Sequence, residues 1–238
     1  MWYNIVRGEI MSKQISVIIV AAGSSNRMGM NTNKIFLDLC GRSVIERTIS
    51  AFTDIPEIFE IILVTKKEFF DDFKNIIKRN FLNIKLVEGG SSREESTYNG
   101  LLEVSDDSDF VICHDGARPL VSRQNIVNVI NELDNYKAVI TGVRVKDTIK
   151  YISSDLEVIS TPDRRLLYNI QTPQAFKKEI ILEGYKKFFE KSSFITDDSS
   201  IIEKLGVRIK LVEGEYSNIK ITTIEDILYA KVLLERGI

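Results

Sequence analysis

The segment Ala21-Ala22-Gly23-Ser24-Ser25-Asn26-Arg27-Met28-Gly29, followed by Lys34, joins small residues to two cations. Small side chains let backbone N–H groups approach phosphate oxygens closely. Arg27 and Lys34 add positive charge where a triphosphate would lie. The segment is not a P-loop, because no Lys-Ser or Lys-Thr pair follows its glycines. Nor is it a dinucleotide fingerprint, because position 25 is serine. Taken singly, it is as consistent with a strand-to-helix turn as with a nucleotide site.

Three further clusters bear on the same chemistry. Gly89-Gly90-Ser91-Ser92-Arg93-Glu94-Glu95-Ser96 ends one apolar run and opens a helical one, so a base or phosphate could sit at that helix start. Gly89 and Ser96 are candidate contacts there. His114-Asp115-Gly116-Ala117-Arg118-Pro119 follows another apolar run. An aspartate in such a place can hold Mg²⁺ beside phosphates, since Mg²⁺ takes one or two carboxylates plus water and phosphate oxygens. Asp115 is therefore the candidate metal contact, with a turn cap as the competing role. His114 reads as a packed, hydrogen-bonded residue rather than a catalyst. Asp197-Asp198 could be a metal pair, but adjacent acids more often cap a helix.

Composition narrows the classes. The chain has 238 residues, 32 basic and 34 acidic, for a net charge of −2. Such a balance argues against a general nucleic-acid or membrane-surface binder. Two cysteines and one histidine exclude a Cys/His zinc site within one chain. They give no disulfide framework, which fits a reducing cytoplasm. No apolar run approaches the roughly 20 residues of a membrane span. Met11 could be the true start, leaving residues 1–12 as an N-terminal extension to a single domain over 13–238.

The elements that must position these residues are legible by period. Ile15–Val20, Ile61–Val64, Ile84–Val87, Phe110–Cys113 and Ala138–Val145 are short β-branched runs, as expected of strands covered on both faces. Amphipathic stretches separate them, one opened by Ser43 and Glu46 in capping-box spacing. This alternation predicts an α/β fold with a mostly parallel sheet flanked by helices. The rhythm changes over 147–167, where alternation around Ser153-Ser154-Asp155 predicts a protruding β-hairpin arm. Helical pattern returns over Lys178–Phe189, a strand is expected at Arg208–Val212, and Thr223 should cap a closing helix.

In their joint order these motifs resemble the 2-C-methyl-D-erythritol 4-phosphate cytidylyltransferase family. The resemblance runs from about Ile15 to the C-terminus. It is carried by the Ala21–Gly29 loop, Gly89-Gly90-x-x-Arg93-x-x-Ser96, His114–Pro119, Asp147-Thr148, Asp163-Arg164, Gln171-Thr172-Pro173-Gln174, Thr196-Asp197-Asp198 and Asn218-Ile219-Lys220-Ile221-Thr222. Four positions depart from the family pattern: Ser25 for glycine, Asn33 for proline, Thr97 for valine and Gly116 for alanine. The ribitol 5-phosphate cytidylyltransferases share much of the pattern. They tend to differ at the positions of Gly116-Ala117 and Asp198.

The resemblance implies a Rossmann-like nucleotidyltransferase of the glycosyltransferase-A type. It implies CMP transfer from CTP to the sugar-alcohol phosphate, with Mg²⁺ or another divalent cation. Arg27 and Lys34 would stabilise charge at the α-phosphate. Ala21, Ala22, Gly23, Gly89, Ser96 and Asp115 would bind the nucleotide. Thr148, Arg164 and Lys220 would hold the acceptor, Arg164 and Lys220 positioning it for attack. The arm would reach across a homodimer, so Thr148 and Arg164 could serve the partner's site. A nucleotide-binding module without catalysis and a Rossmann oxidoreductase are the competing classes. Joint presence of Arg27, Lys34, Asp115, Arg164 and Lys220 disfavours the first, and the failed fingerprint disfavours the second.

Overall fold

The computed structural model describes residues 13–23, 33–80, 84–191 and 195–237. β1 (Ile15–Val20) is buried along nearly its whole length. Two two-residue strands, β2 (Asp38–Leu39) and β3 (Arg42–Ser43), pair as a small ribbon before α1 (Val44–Thr53). Ser43 caps α1 as its spacing predicts. Its Oγ accepts from Glu46 N, and the Glu46 carboxylate accepts from Ser43 N at 2.7 Å. β4 (Ile58–Thr65), α2 (Phe70–Asn80), β5 (Ile84–Glu88), α3 (Arg93–Leu102) and β6 (Phe110–Asp115) follow. Then come α4 (Arg123–Glu132), β7 (Ala138–Arg144) and the arm strands β8 (Tyr151–Ile152) and β9 (Val158–Ser160). The chain closes with β10 (Tyr168–Lys177), α5 (Lys178–Lys191), α6 (Asp198–Glu203), β11 (Lys210–Glu213) and α7 (Ile224–Glu235).

Seven strands form one sheet in the order β11-β7-β10-β6-β1-β4-β5. All neighbours are parallel except β10, which runs antiparallel to β6 and β7. Strand residues alternate between two cores. Val17 and Ile19 pack with Ile45, Ile49 and Phe52 on one face, and Ile18 with Leu101, Ile181 and Tyr185 on the other. Burial on both faces explains why these strands read as unbroken apolar runs.

β10 is the strand that the apolar pattern does not reveal. Gln171, Thr172, Pro173 and Gln174 interrupt it, and a proline within a run argues against a central strand. The pairing register with β7 shifts between Gln171 and Gln174, so Pro173 sits at the irregularity; the Thr172–Pro173 peptide is cis. Thr141 Oγ1 donates to the Pro173 carbonyl at 2.9 Å. The polar residues are therefore placed inside the sheet, at the end where the loops gather.

The predicted arm is present as a separate two-stranded hairpin. Ser153 Oγ accepts from the backbone N–H groups of Asp155 and Glu157 and shapes its tip. Its root rests on Tyr216, whose hydroxyl donates to Arg144 O at 2.9 Å and whose ring lies 3.6 Å from Lys146 Nζ. No helix among the described residues is long and apolar enough to cross a membrane.

Candidate active site

At the carboxyl ends of the parallel strands lies a cleft of about 630 Å³. That is where ligands gather in open α/β sheets. After β1 come Ala21, Ala22 and Gly23, after β4 Lys66, after β5 Gly90 to Ser92, and at the end of β6 Asp115. Lys34 reaches the cleft from a short 3-10 turn (Lys34–Phe36) capped by Asn33, and Lys220 from the segment before α7.

The glycine-rich turns fit by close approach. A Cβ on Gly89 would stand 2.5 Å from Ala22 Cβ and 3.0 Å from Ser96 Oγ. Ser96 Oγ donates to Ser92 O at 2.7 Å and accepts from Gly90 N at 3.1 Å, closing the turn on itself. Ser96 thus shapes the cleft wall as well as lining it. Ala21 N donates to Val64 O at 2.7 Å, which holds the first loop against β4.

A second cavity of about 460 Å³ adjoins the first and is lined by Gln171, Thr172, Thr196, Asp197 and Ser200 among others. The two cavities share Arg93, Asp115 and Lys220. Asp115 is the centre of that boundary. Lys220 Nζ lies 3.0 Å from its Oδ2, Arg118 Nε 3.2 Å from Oδ2, and Arg93 Nε 3.6 Å from Oδ1. Burial works to raise the carboxyl's pKa, but Lys220, Arg93 and Arg118 outweigh it and hold the group well below the usual carboxylate range. Asp115 is an anion throughout the physiological range.

Lys220 owes its place to its neighbours. Ile221 is buried and its N–H donates to Ala117 O at 2.8 Å, while Asn218 Nδ2 donates to Thr172 O at 2.9 Å. Arg118 Nη1 donates to Asn218 O at 2.8 Å. His114 lies behind this network. Thr172 Oγ1 accepts from Asp115 N at 3.0 Å, and because the Arg118 carbonyl facing His114 Nε2 can only accept, the neutral ring leaves Nδ1 to accept the Thr172 hydroxyl proton, also at 3.0 Å. The ring proton then sits on Nε2, facing Arg118 O at 3.3 Å. Burial holds the imidazole down to about 4, so the ring is neutral and both nitrogens are engaged. His114 is structural, as its setting in the sequence suggests.

Asp197 and Asp198 divide into two roles, neither a metal pair. Asp197 caps α6, accepting from Ser200 N at 3.0 Å, and accepts from Gln174 Nε2 at 2.8 Å. Asp198 is buried against Arg93. Among the described residues no group of three or more His, Cys, Asp or Glu side chains could enclose a metal ion.

Of the residues singled out in the sequence, Ala21, Ala22, Gly23, Lys34, Ser96, Asp115 and Lys220 line the cleft together. Gly89 stands just behind its wall. Arg27 lies outside the described residues. Thr148 and Arg164 are exposed on the arm and line neither cavity of their own chain. Arg164 Nη1 donates to Lys146 O at the arm root, 2.9 Å away.

Lys66 and Arg93 carry charge at the site and went unassigned in the sequence. Arg93 did leave a signal: a cation in the first turn of a helix opposes the helix dipole, so something else must hold it there. Lys66 left none beyond its place after an apolar run.

Comparison with known proteins places these features together. A family model described as 2-C-methyl-D-erythritol 4-phosphate cytidylyltransferase (IspD) matches residues 15–236. The cytidylyltransferase of that name from Caldanaerobacter subterraneus is 44% identical over 225 residues, covering 93% of this chain and 99% of that protein. The one from Clostridioides difficile is 45% identical over 221 residues, covering 92% and 93%. A crystal structure of 4-diphosphocytidyl-2C-methyl-D-erythritol synthase from Anaerococcus prevotii superposes with a TM-score of 0.87 at 43% identity, covering 94% of this chain and all of that one. The Thermus thermophilus cytidylyltransferase superposes at 0.77 with 28% identity, covering 93% and 99%.

Proposed function

The chain belongs to the 2-C-methyl-D-erythritol 4-phosphate cytidylyltransferase family, and from that premise we propose how its two cavities divide the reaction. It is a nucleotidyltransferase that transfers CMP from CTP to 2-C-methyl-D-erythritol 4-phosphate, with release of pyrophosphate, in isoprenoid precursor synthesis. The cleft between the two glycine-rich turns takes CTP, and the adjoining cavity takes the acceptor. The observation that carries this division is the wall of Arg93, Asp115 and Lys220 common to both.

An acceptor phosphate oxygen attacks the α-phosphorus. The new P–O bond forms as the bond to the oxygen bridging the α- and β-phosphorus breaks, and pyrophosphate departs with that electron pair. The nucleophile is already an anion, so no general base is required. Neither His114, sealed and neutral, nor Asp115, locked as a carboxylate, is suited to be one. The obstacle is repulsion between anions and the charge that builds on phosphorus. Fixed cations meet both. Lys34 and Arg27 are assigned to the α-phosphate; the position of Lys34 on the cleft wall supports its part. Lys220 is assigned to the acceptor phosphate. Ser96, on the cleft wall, and the backbone around Gly89, just behind it, are assigned to the cytosine and ribose.

Among the described residues Asp115 is the one carboxylate that borders both cavities, and it would be the protein ligand of Mg²⁺, which accepts a single carboxylate when phosphates and waters complete its shell. When bound, the ion would neutralise triphosphate charge. The donor set favours an ion that arrives with the nucleotide.

The arm exposes Tyr151, Leu156, Val158, Ile159 and Leu166, with Leu156 79% exposed. Apolar surface of this extent marks an interaction site, and a homodimer through the arm would cover it. Thr148 and Arg164 would then complete the partner's acceptor cavity. Cys40 and Cys113 are unpaired, which suits work in the cytoplasm.

The deciding assay is pyrophosphate release from CTP with each sugar phosphate offered separately. Release with 2-C-methyl-D-erythritol 4-phosphate is the expected result. Release only with ribitol 5-phosphate would overturn the acceptor, and tight CTP binding without any release would point to a binding module.

A further inference from the structure

Arg93 opens α3, where the helix dipole repels a cation. It is held there by a buried carboxylate. Asp198, with no exposed surface, accepts from Arg93 Nη1 at 2.9 Å and from Nη2 at 2.8 Å. Tyr185 on α5 donates its hydroxyl to the same Asp198 Oδ1 at 2.5 Å. Tyr185 is itself fully buried, its ring stacked on Tyr98 with centroids 5.9 Å apart. Three helices, α3, α5 and α6, thus meet on one carboxylate.

A buried ion pair of this kind is weak evidence of stability, because desolvation offsets the attraction and apolar residues fill the same space as well. Its geometry is the informative part. The two-point fork fixes the guanidinium plane, removing rotamer freedom that an unheld arginine would lose only on binding substrate. Asp198 engages two of the five guanidinium N–H groups. The Nε edge faces Asp115, and the side chain, 26% exposed, borders both cavities.

We propose that Asp198 and Tyr185 are positioning residues for the transfer reaction: they lock Arg93 at the junction of the two cavities, where its remaining N–H groups bind oxygens of the two phosphates as they meet. This rests on the division of the cavities between CTP and acceptor given above. Arg93 is then a catalytic residue, and Asp198 and Tyr185 act through it.

The test is chemical rescue. Arg93→Ala is expected to lower kcat by about 10²-fold, with a smaller change in KM for CTP. Guanidinium ion at low millimolar concentration should restore kcat at least about tenfold, because the carboxylate still cradles it. In Arg93→Ala/Asp198→Asn the rescue should vanish. Tyr185→Phe, which keeps the ring and removes only the hydroxyl, should weaken rescue in the Arg93→Ala background and lower kcat alone by several-fold. It also serves as the readout if Asp198→Asn does not fold. Equal rescue with and without Asp198, or folded Tyr185→Phe and Asp198→Asn enzymes with unchanged kcat and KM values, would overturn the proposal. Wild-type enzyme active with 2-C-methyl-D-erythritol 4-phosphate in that same experiment confines the failure to this inference. Wild-type enzyme inactive with every acceptor would bring down both.

Discussion

Lys220 Nζ lies 3.0 Å from Asp115 Oδ2, and the same carboxylate receives Arg118 and Arg93. One anion therefore organises three cations at the boundary between the two cavities. This places Lys220 without leaving it to wander: because three cations share the one carboxylate, its charge is only partly compensated until a phosphate arrives.

Lys220→Ala should therefore lower kcat by about 10²–10³-fold, roughly 3–4 kcal/mol of transition-state stabilisation. Asp115 keeps Arg118 and Arg93 as partners, so the fold should hold. Steady-state kinetics with each substrate varied would check this. KM for the acceptor should rise more than KM for CTP, and near-normal turnover would remove Lys220 from the mechanism.

The Gly89 turn makes a separate prediction. In Gly89→Ala the new methyl would meet Ala22 Cβ at 2.5 Å, an atom fixed to backbone, so the two loops must part. Overpacking of this sort costs about 1–3 kcal/mol. A lower Tm and a raised KM for CTP are expected together. At Gly23 an added methyl meets nothing within 4 Å among the described residues, so Gly23→Ala should keep the wild-type Tm. Any loss of CTP affinity there would report on how closely the backbone approaches the nucleotide. Equal Tm loss at both positions would mean that the loops do not interlock as described.

These positions also mark where the sequence was legible. Parallel strands and amphipathic helices declare themselves by period, and Ser43 with Glu46 declares a helix start by local chemistry. β10 does not, because Pro173 and three polar neighbours break its pattern, and only the sheet around it accounts for them. Lys34, Asp115 and Lys220 could be named from residue type and the family resemblance. The Arg93–Asp198 pair could not, since its partners are 105 residues apart and each has an ordinary local explanation, a helix start and a helix cap. Long-range pairing of charged groups is a property of the fold, and no local pattern encodes it.

Thr148 and Arg164 stand on the arm, away from both cavities of their own chain. If they complete a partner's site, two defective enzymes should repair one another. Co-expressed Lys34→Ala and Arg164→Ala chains should give heterodimers with one fully wild-type site, and thus activity near half that of a wild-type dimer. Each variant alone should remain impaired. Purification through two different tags, followed by pyrophosphate release, would measure it. No recovery in a verified heterodimer would mean that each chain completes its own site.

His114 gives the pH dependence a sign. Burial holds its folded pKa at about 4, against an ordinary value of 6.5. Above 6.5 neither state carries the proton. Between 6.5 and 4 the unfolded chain is protonated while the folded chain is not, so stability falls as pH falls through this window. The full loss approaches about 3–4 kcal/mol, with a slope of up to about 1.4 kcal/mol per pH unit. His114 is the chain's one histidine, so few other groups titrate above pH 5 to blur the effect. Urea unfolding at pH 7, 6 and 5 should show midpoints that decline in the wild-type protein. The slope over that range should largely disappear in His114→Asn, even though that variant starts from lower stability. A parallel decline in both proteins would assign the dependence to the carboxylates and leave the buried neutral imidazole without thermodynamic consequence.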